Sequence, residues 1–69
     1  MGQSLPAYFD YLAVAIECHI TQEHVEALES VVRQDFPDDQ MMFELHMLRM
    51  LNQIRAGHLK VEEVLRTAG

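Results

Sequence analysis

The 69-residue sequence contains a single cysteine, Cys18, and so lacks the usual covalent staple of a small domain. One thiol cannot form an internal disulfide, and with four scattered histidines it offers no zinc framework. We therefore expect no bound metal and no cofactor. A lone cysteine fits a reducing compartment, and no basic segment precedes an apolar one as in a secretory signal. These features predict a cytoplasmic location.

Glycine and proline are also scarce, with three and two copies. The glycines form no phosphate-binding loop, and the sequence has neither a nucleophile elbow nor paired carboxylates typical of a catalytic cleft. Strand-like alternation and the Asn-Gly or Asp-Gly turns of hairpins are missing too. The sequence thus predicts an all-α protein that has no catalytic residues and is not an enzyme.

Basic residues number five against eleven acidic ones, which gives a net charge of −6. Residues 1–48 hold nine acids and one base, Arg33. This balance weighs against binding nucleic acid or an anionic membrane, because both need basic patches. No apolar run approaches the length of a membrane span.

Helical periodicity dominates the chain and predicts one helical domain over residues 1–69. The expected helices cover about residues 5–18, 22–35, 39–56 and 60–67. Ser4, Thr21 and either Asp38 or Asp39 are suitable N-caps, and Gly57 suits the first position after a helix. The pattern is typical of a small three- to four-helix bundle, or of a helical hairpin with a short C-terminal helix, completed by dimerisation.

The expected helices differ in how much of their surface is apolar. The first is apolar on nearly every side, as in a central helix or an interface helix. The second has one apolar stripe, so it lies on the outside, and His24 on that stripe should be half-buried. Glu29 and Arg33 on its polar side are spaced for an ion pair.

The third helix is rich in methionine, and its apolar residues cover roughly 220° of its circumference by the helical period. One core of this size cannot cover so wide an arc, and flexible methionines are common on binding surfaces. We therefore expect a protein partner, with a second copy of the chain as the first candidate. The expected contact residues are Tyr8 and Leu12 in the first helix and Met41, Phe43, Glu44, Leu45, Met47, Leu48, Met50, Leu51, Ile54 and Arg55 in the third.

Glu44 and Arg55 lie eleven residues apart, about three helical turns, and so share one side of the third helix. If two third helices paired in antiparallel fashion, Glu44 of each chain would oppose Arg55 of the other. That arrangement is self-complementary, as a two-fold dimer requires. The sequence thus predicts a regulatory or adaptor protein that acts through protein–protein contacts as a homodimer.

Two alternatives remain open at this level. Glu23, Glu26 and Glu29 form an acidic strip on the second helix that fits an inhibitor mimicking nucleic acid. The surplus apolar surface also fits a structural accessory subunit of a larger complex.

Two local features add no site of their own. Asp35, Asp38 and Asp39 surround Pro37, but they lack the ligand spacing of a calcium loop, and capping explains at least one of them. The run from Glu44 to Arg49, followed by a glycine and a short helix, resembles small bacterial proteins. This resemblance implies no particular site.

Overall fold

The structure, a computed structural model, describes residues 7–68, and these form four α-helices and no strand. α1 spans Tyr11–Glu17, α2 Gln22–Asp35, α3 Gln40–Arg55 and α4 Val61–Ala68. α1 and α2 both pack against α3, and α4 packs against α2. Within this range no helix has the length and apolar character needed to cross a bilayer. The predicted all-α bundle is confirmed, and its completion by dimerisation stays a prediction.

Side-chain caps define the starts of α2 and α3. Thr21 Oγ1 accepts a hydrogen bond from the backbone N–H of His24 at 3.3 Å. Asp39 Oδ1 accepts one from the N–H of Met42 at 3.1 Å. Each bond satisfies an N–H group that the helix itself leaves unpaired. Of the two predicted caps for α3, Asp39 is the one that acts.

The first helix is shorter than predicted, because it begins at Tyr11 rather than near Leu5. Asp10 caps it, with its carboxylate accepting a hydrogen bond from the N–H of Ala13 at 3.3 Å. Of the described residues before Asp10, residues 7 and 8 form a bend and none is helical. The predicted cap Ser4 and the predicted start at Leu5 lie outside the described residues.

α3 ends at a glycine, as predicted. Gly57 has a φ of +85°, a left-handed conformation that costs a residue without Cβ little. Its N–H donates to the carbonyl of Ile54 at 3.1 Å, and the N–H of His58 donates to the carbonyl of Gln53 at 2.9 Å. These two bonds form a Schellman motif, which satisfies carbonyls at the end of the helix.

α1 ends in the same motif without a glycine. The N–H of His19 donates to the carbonyl of Ile16 at 3.0 Å, and that of Ile20 donates to Ala15 at 3.1 Å. His19 occupies the left-handed position with a φ of 58°. Because left-handed angles crowd a Cβ atom, this residue carries backbone strain that Gly57 avoids.

The core lies between α1, α2 and α3 and extends to the start of α4. Tyr11 and Phe43 meet edge to face in it, with ring centroids 6.0 Å apart and planes at 90°, an arrangement that aromatic pairs favour. The buried apolar residues are Tyr11, Ala15, Val25, Leu28, Val32, Phe43, Met47, Leu51 and Val61.

Two expectations for α2 need correction. His24 is exposed rather than half-buried. Glu29 accepts a hydrogen bond from the Tyr11 hydroxyl at 2.6 Å instead of pairing with Arg33, and Arg33 places its guanidinium over the Phe43 ring, 3.7 Å from the centroid. Burial, and then the bond to Glu29, raise the pKa of Tyr11 above its ordinary value.

Candidate functional site

The residues predicted to contact a partner do not form one surface. Phe43, Glu44, Met47 and Leu51 are buried in the interior of their own chain. Their side chains are therefore not available to another protein in this fold, which corrects the prediction for these four. The wide apolar arc of α3 is explained in part by its central place, since both α1 and α2 pack on it.

The remaining eight predicted residues reach the surface to different degrees. Half-buried side chains that pack against the core are those of Leu12, Leu48, Met50 and Ile54, and Leu45 is also half-buried. The exposed ones are Tyr8, Met41 and Arg55. Tyr8 is 59% exposed and Met41 48%, which is high for large apolar side chains.

Glu44 is the most unusual of the buried residues, because it is charged and has no exposed surface. Its carboxylate accepts hydrogen bonds from the backbone N–H groups of Ala7, Tyr8 and Phe9 at 2.9, 2.6 and 2.9 Å, and a further one from the Gln40 amide. Burial alone would raise its pKa, but these four bonds outweigh burial and lower the pKa from 4.5 to about 2. Glu44 therefore holds residues 7–9 against α3.

The predicted pairing of Glu44 with Arg55 of a second chain is not available in this structure. The Glu44 carboxylate is occupied inside the chain, and Arg55 Nη1 donates to Glu17 Oε1 of α1 at 2.6 Å. The Glu17 and Arg55 side chains are 61% and 52% exposed, so their ion pair lies at the surface. The polar contacts expected to align two third helices therefore form within one chain.

Gln40 extends the Glu44 contacts to the turn between α2 and α3. Its amide nitrogen donates to Glu44, and its amide oxygen accepts from Arg33 Nη2 at 2.9 Å. Arg33 Nη1 then donates to the carbonyl of Phe36 at 3.4 Å. This hydrogen-bond network joins residues 7–9 to the turn through α3.

An open groove of about 610 Å³ lies between Tyr8 and the turn at residues 35–41. The network holds both of its sides, because Tyr8 is bound through its backbone to Glu44, and Phe36 through its carbonyl to Arg33. Tyr8 and Met41 are the exposed large apolar side chains in the groove. The residues that line it are Tyr8, Asp35, Phe36, Pro37, Asp38, Asp39, Gln40 and Met41.

The groove is acidic as well as apolar. Asp35, Asp38 and Asp39 are all exposed, and none of the lining residues is basic. The Asp39 carboxylate has a structural role as the cap of α3. Within residues 7–68, the side chains of Asp35 and Asp38 accept no hydrogen bond and form no ion pair. Two carboxylates in the groove are therefore not engaged by hydrogen bonds or ion pairs within the described residues.

The pairing with Arg55 predicts Glu44 at the surface, although its position on the helix also indicates burial. Glu44 precedes Met47 by three residues and Leu51 by seven, so it lies on the same helical stripe as these two core residues. A carboxylate on such a stripe needs several donors when it is buried. The donors are backbone groups more than thirty positions earlier in the chain, and no local pattern indicates them.

The structure gives less support to the other sites considered from the sequence. Glu23 and Glu26 are exposed on α2, but Glu29 is bound by Tyr11, which shortens the acidic strip. Cys18 is half-buried, with its Sγ 3.8 Å from the Leu51 carbonyl oxygen. In the described part of the chain, no group of three or more histidine, cysteine or acidic residues is placed to hold a metal ion.

A comparison of the chain with protein-family models, with curated proteins and with solved structures found no match.

Proposed function

We propose that this chain is a small, non-catalytic regulatory or adaptor protein that acts through protein–protein contacts, and that the groove between Tyr8 and residues 35–41 is its docking surface. The observation that carries the proposal is the pair of exposed apolar side chains, Tyr8 and Met41, on a groove held by internal hydrogen bonds. Exposed apolar groups in a concave surface favour contact with a partner, because binding removes them from water.

The fixed shape of the groove supports this function. A surface that is already ordered loses little conformational entropy when a partner binds, so more of the contact energy remains as affinity. Tyrosine and methionine are enriched in protein interfaces, tyrosine because it offers a large, rigid contact area. Both side chains lie beside backbone that Glu44 or the start of α3 holds in place.

A homodimer remains part of the proposal as one way to cover this surface. Its predicted polar contact, between Glu44 and Arg55, is made unavailable by the burial of Glu44. We therefore place a different protein ahead of a second copy as the main partner. The reducing compartment suggested by the lone Cys18 keeps the cytoplasm as the proposed location.

The two alternative functions have less support. An inhibitor that mimics nucleic acid would use the acidic strip of α2, and the bond from Tyr11 to Glu29 leaves only Glu23 and Glu26 of that strip exposed. An accessory subunit of a larger complex would need a larger apolar face than this groove. The core of the chain itself covers Phe43, Met47 and Leu51, so the apolar surface of α3 that is left for a complex is small.

Site-specific photocrosslinking tests the proposal in the native host. A benzophenone amino acid is placed at Tyr8 or at Met41, and at exposed Glu23 or Gln53 as matched controls away from the groove. We expect the two groove positions to crosslink the same discrete protein and the control positions to leave it uncaptured. Equal capture from all four positions, or none from the groove, contradicts the proposal. A product of twice the chain's own mass identifies the partner as a second copy.

A further inference from the structure

The groove combines two properties that together restrict the partner. Tyr8 and Met41 offer apolar contact area, and Asp35, Asp38 and Asp39 supply negative charge beside it. Asp35, Asp38 and Asp39 lie within four positions of one another in the sequence, and the lining has no basic residue. Their carboxylates therefore repel one another. A cation bound between them removes that repulsion.

The chain's own nearby cation is not available for this purpose. Arg33, the one base in residues 1–48, is committed to the inner side of the turn. Its guanidinium contacts the Phe43 ring, the Gln40 amide oxygen and the Phe36 carbonyl. Because Arg33 faces away from the groove and the lining has no basic residue, the charge of the groove favours a partner that brings a positive group.

From this charge complementarity we propose that the groove binds a positively charged peptide segment of a partner protein, one that carries a large apolar side chain beside lysine or arginine. The apolar side chain packs on Tyr8 and Met41, and the cationic group lies among the three aspartates. The exposed Tyr8 ring adds an aromatic face, to which guanidinium and ammonium groups are attracted. The groove is open, which suits a peptide more than an enclosed small molecule.

This inference rests on the proposed function, because it names the partner chemistry of the same surface. Selection from a random peptide library displayed on phage tests it, with the purified chain as the target. Binding of the selected peptides is then measured by fluorescence anisotropy, and the contact site is mapped by backbone amide chemical shifts.

Three variants identify what the peptides bind. D35N/D38N/D39N removes three groove charges with little change in shape, and asparagine at position 39 still caps α3. E23Q/E26Q/E62Q removes three charges outside the groove and is the matched control. Tyr8→Ala removes the apolar contact.

We expect selected peptides with a net positive charge and a large apolar residue, whose amide shifts map to the groove. The aspartate variant should weaken binding about tenfold, Tyr8→Ala about 30-fold, and the control less than about twofold. Higher salt should weaken binding to the native chain more than to the aspartate variant.

The other outcomes overturn the inference in distinguishable ways. Neutral or acidic peptides that map to the groove contradict the partner chemistry and leave the proposed function standing. Basic peptides weakened equally by the control show general charge attraction, which also contradicts the inference. Peptides insensitive to Tyr8→Ala that map elsewhere contradict the docking surface and the proposed function with it.

Discussion

Replacing Glu44 with glutamine removes one buried negative charge and changes the side-chain shape very little. The carboxylate has two acceptor oxygens: Oε1 binds the N–H groups of Tyr8 and Phe9, and Oε2 binds Ala7 and Gln40. Glutamine keeps one acceptor oxygen, and its NH₂ group faces the N–H groups of Ala7 and Gln40 that Oε2 accepted. Two hydrogen bonds are therefore lost, and buried donors face each other.

The pKa of Glu44 sets the size of the effect. The folded-state value of about 2 lies well below the ordinary 4.5, and each pH unit of that difference is worth about 1.4 kcal/mol. The ionised carboxylate thus contributes about 3 to 4 kcal/mol to the free energy of unfolding. Two hydrogen bonds to a charged acceptor are worth about 1.5–3 kcal/mol each. At the lower value their loss costs about 3 kcal/mol, which agrees with the figure from the pKa.

A loss of this size is large for so small a protein. Typical stabilities of about 0.05–0.15 kcal/mol per residue give this chain about 3 to 10 kcal/mol in total. Urea unfolding followed by circular dichroism should therefore show a much lower midpoint for E44Q at neutral pH. The control is E17Q, the same change in the exposed pair with Arg55, which should cost less than about 1 kcal/mol.

The pH dependence provides a second test. Because the folded-state pKa of Glu44 is depressed, its contribution is fully present above about pH 4.5 and is lost as the pH falls towards about 2. The stability difference between the native chain and E44Q should therefore narrow over that range. Effects of the other carboxylates are common to both proteins and cancel in the difference.

Two results would refute this reasoning. One is an E44Q variant no less stable than E17Q, and the other is a stability difference that does not change with pH. If E44Q is too unstable to measure, the native protein still provides a test. A carbon NMR titration of the Glu44 carboxyl group must give a folded-state pKa near 2 rather than 4.5.

Three further predictions follow from the helix ends and the surface, each measured by urea unfolding at neutral pH. Gly57→Ala should lower the free energy of unfolding by about 1 kcal/mol through backbone strain alone, because no atom lies within 4 Å of an added Cβ. His19→Gly, at the equivalent position of α1, should raise it by about 0.5 kcal/mol. Asp39→Ala should lose about 1 kcal/mol with the cap of α3, and Asp39→Asn very little. Ile16→Gln, at a side chain 74% exposed, should change stability by less than about 0.5 kcal/mol, while Leu28→Ala, fully buried in the core, should lose about 3 kcal/mol.

Each of these predictions has an outcome that contradicts it. A stabilising Gly57→Ala, or a His19→Gly that lowers stability, would mean that the left-handed angles are not the cause. Equal losses in the two Asp39 variants would show that charge, and not capping, matters there. A large loss from Ile16→Gln would mean that α1 buries this residue.

The short-range features of the chain were predictable because their causes lie within a few residues. Thr21 and Asp39 each bond to an N–H group three positions ahead, and Gly57 ends a helix through bonds to the turn before it. The predicted start of α1 was wrong, because apolar residues continue on both sides of Asp10 and only Ser4 was expected to cap this helix. In the structure Asp10 is the cap.

The candidate site was only partly predictable. The sequence predicts Tyr8 at an interface because the first helix is apolar on nearly every side, and Met41 because it belongs to the wide apolar arc of the third helix. Both side chains are exposed. Glu44 was expected at the same interface because it shares one side of the third helix with Arg55, and the structure buries it instead. The aspartates around Pro37 were noticed, but nothing in the sequence placed Tyr8 next to them.

By itself the sequence determined that this protein is a bundle of short helices, since periodicity, caps and one glycine act locally along the chain. Only the tertiary structure decided which side of α3 faces inward and where Glu44 lies. The physical reason is that a buried carboxylate needs donors from other parts of the chain, and those at residues 7–9 reach it only once α3 and the segment before α1 come together. The same contact brings Tyr8 beside the turn at residues 35–41, so the groove exists only in the folded chain.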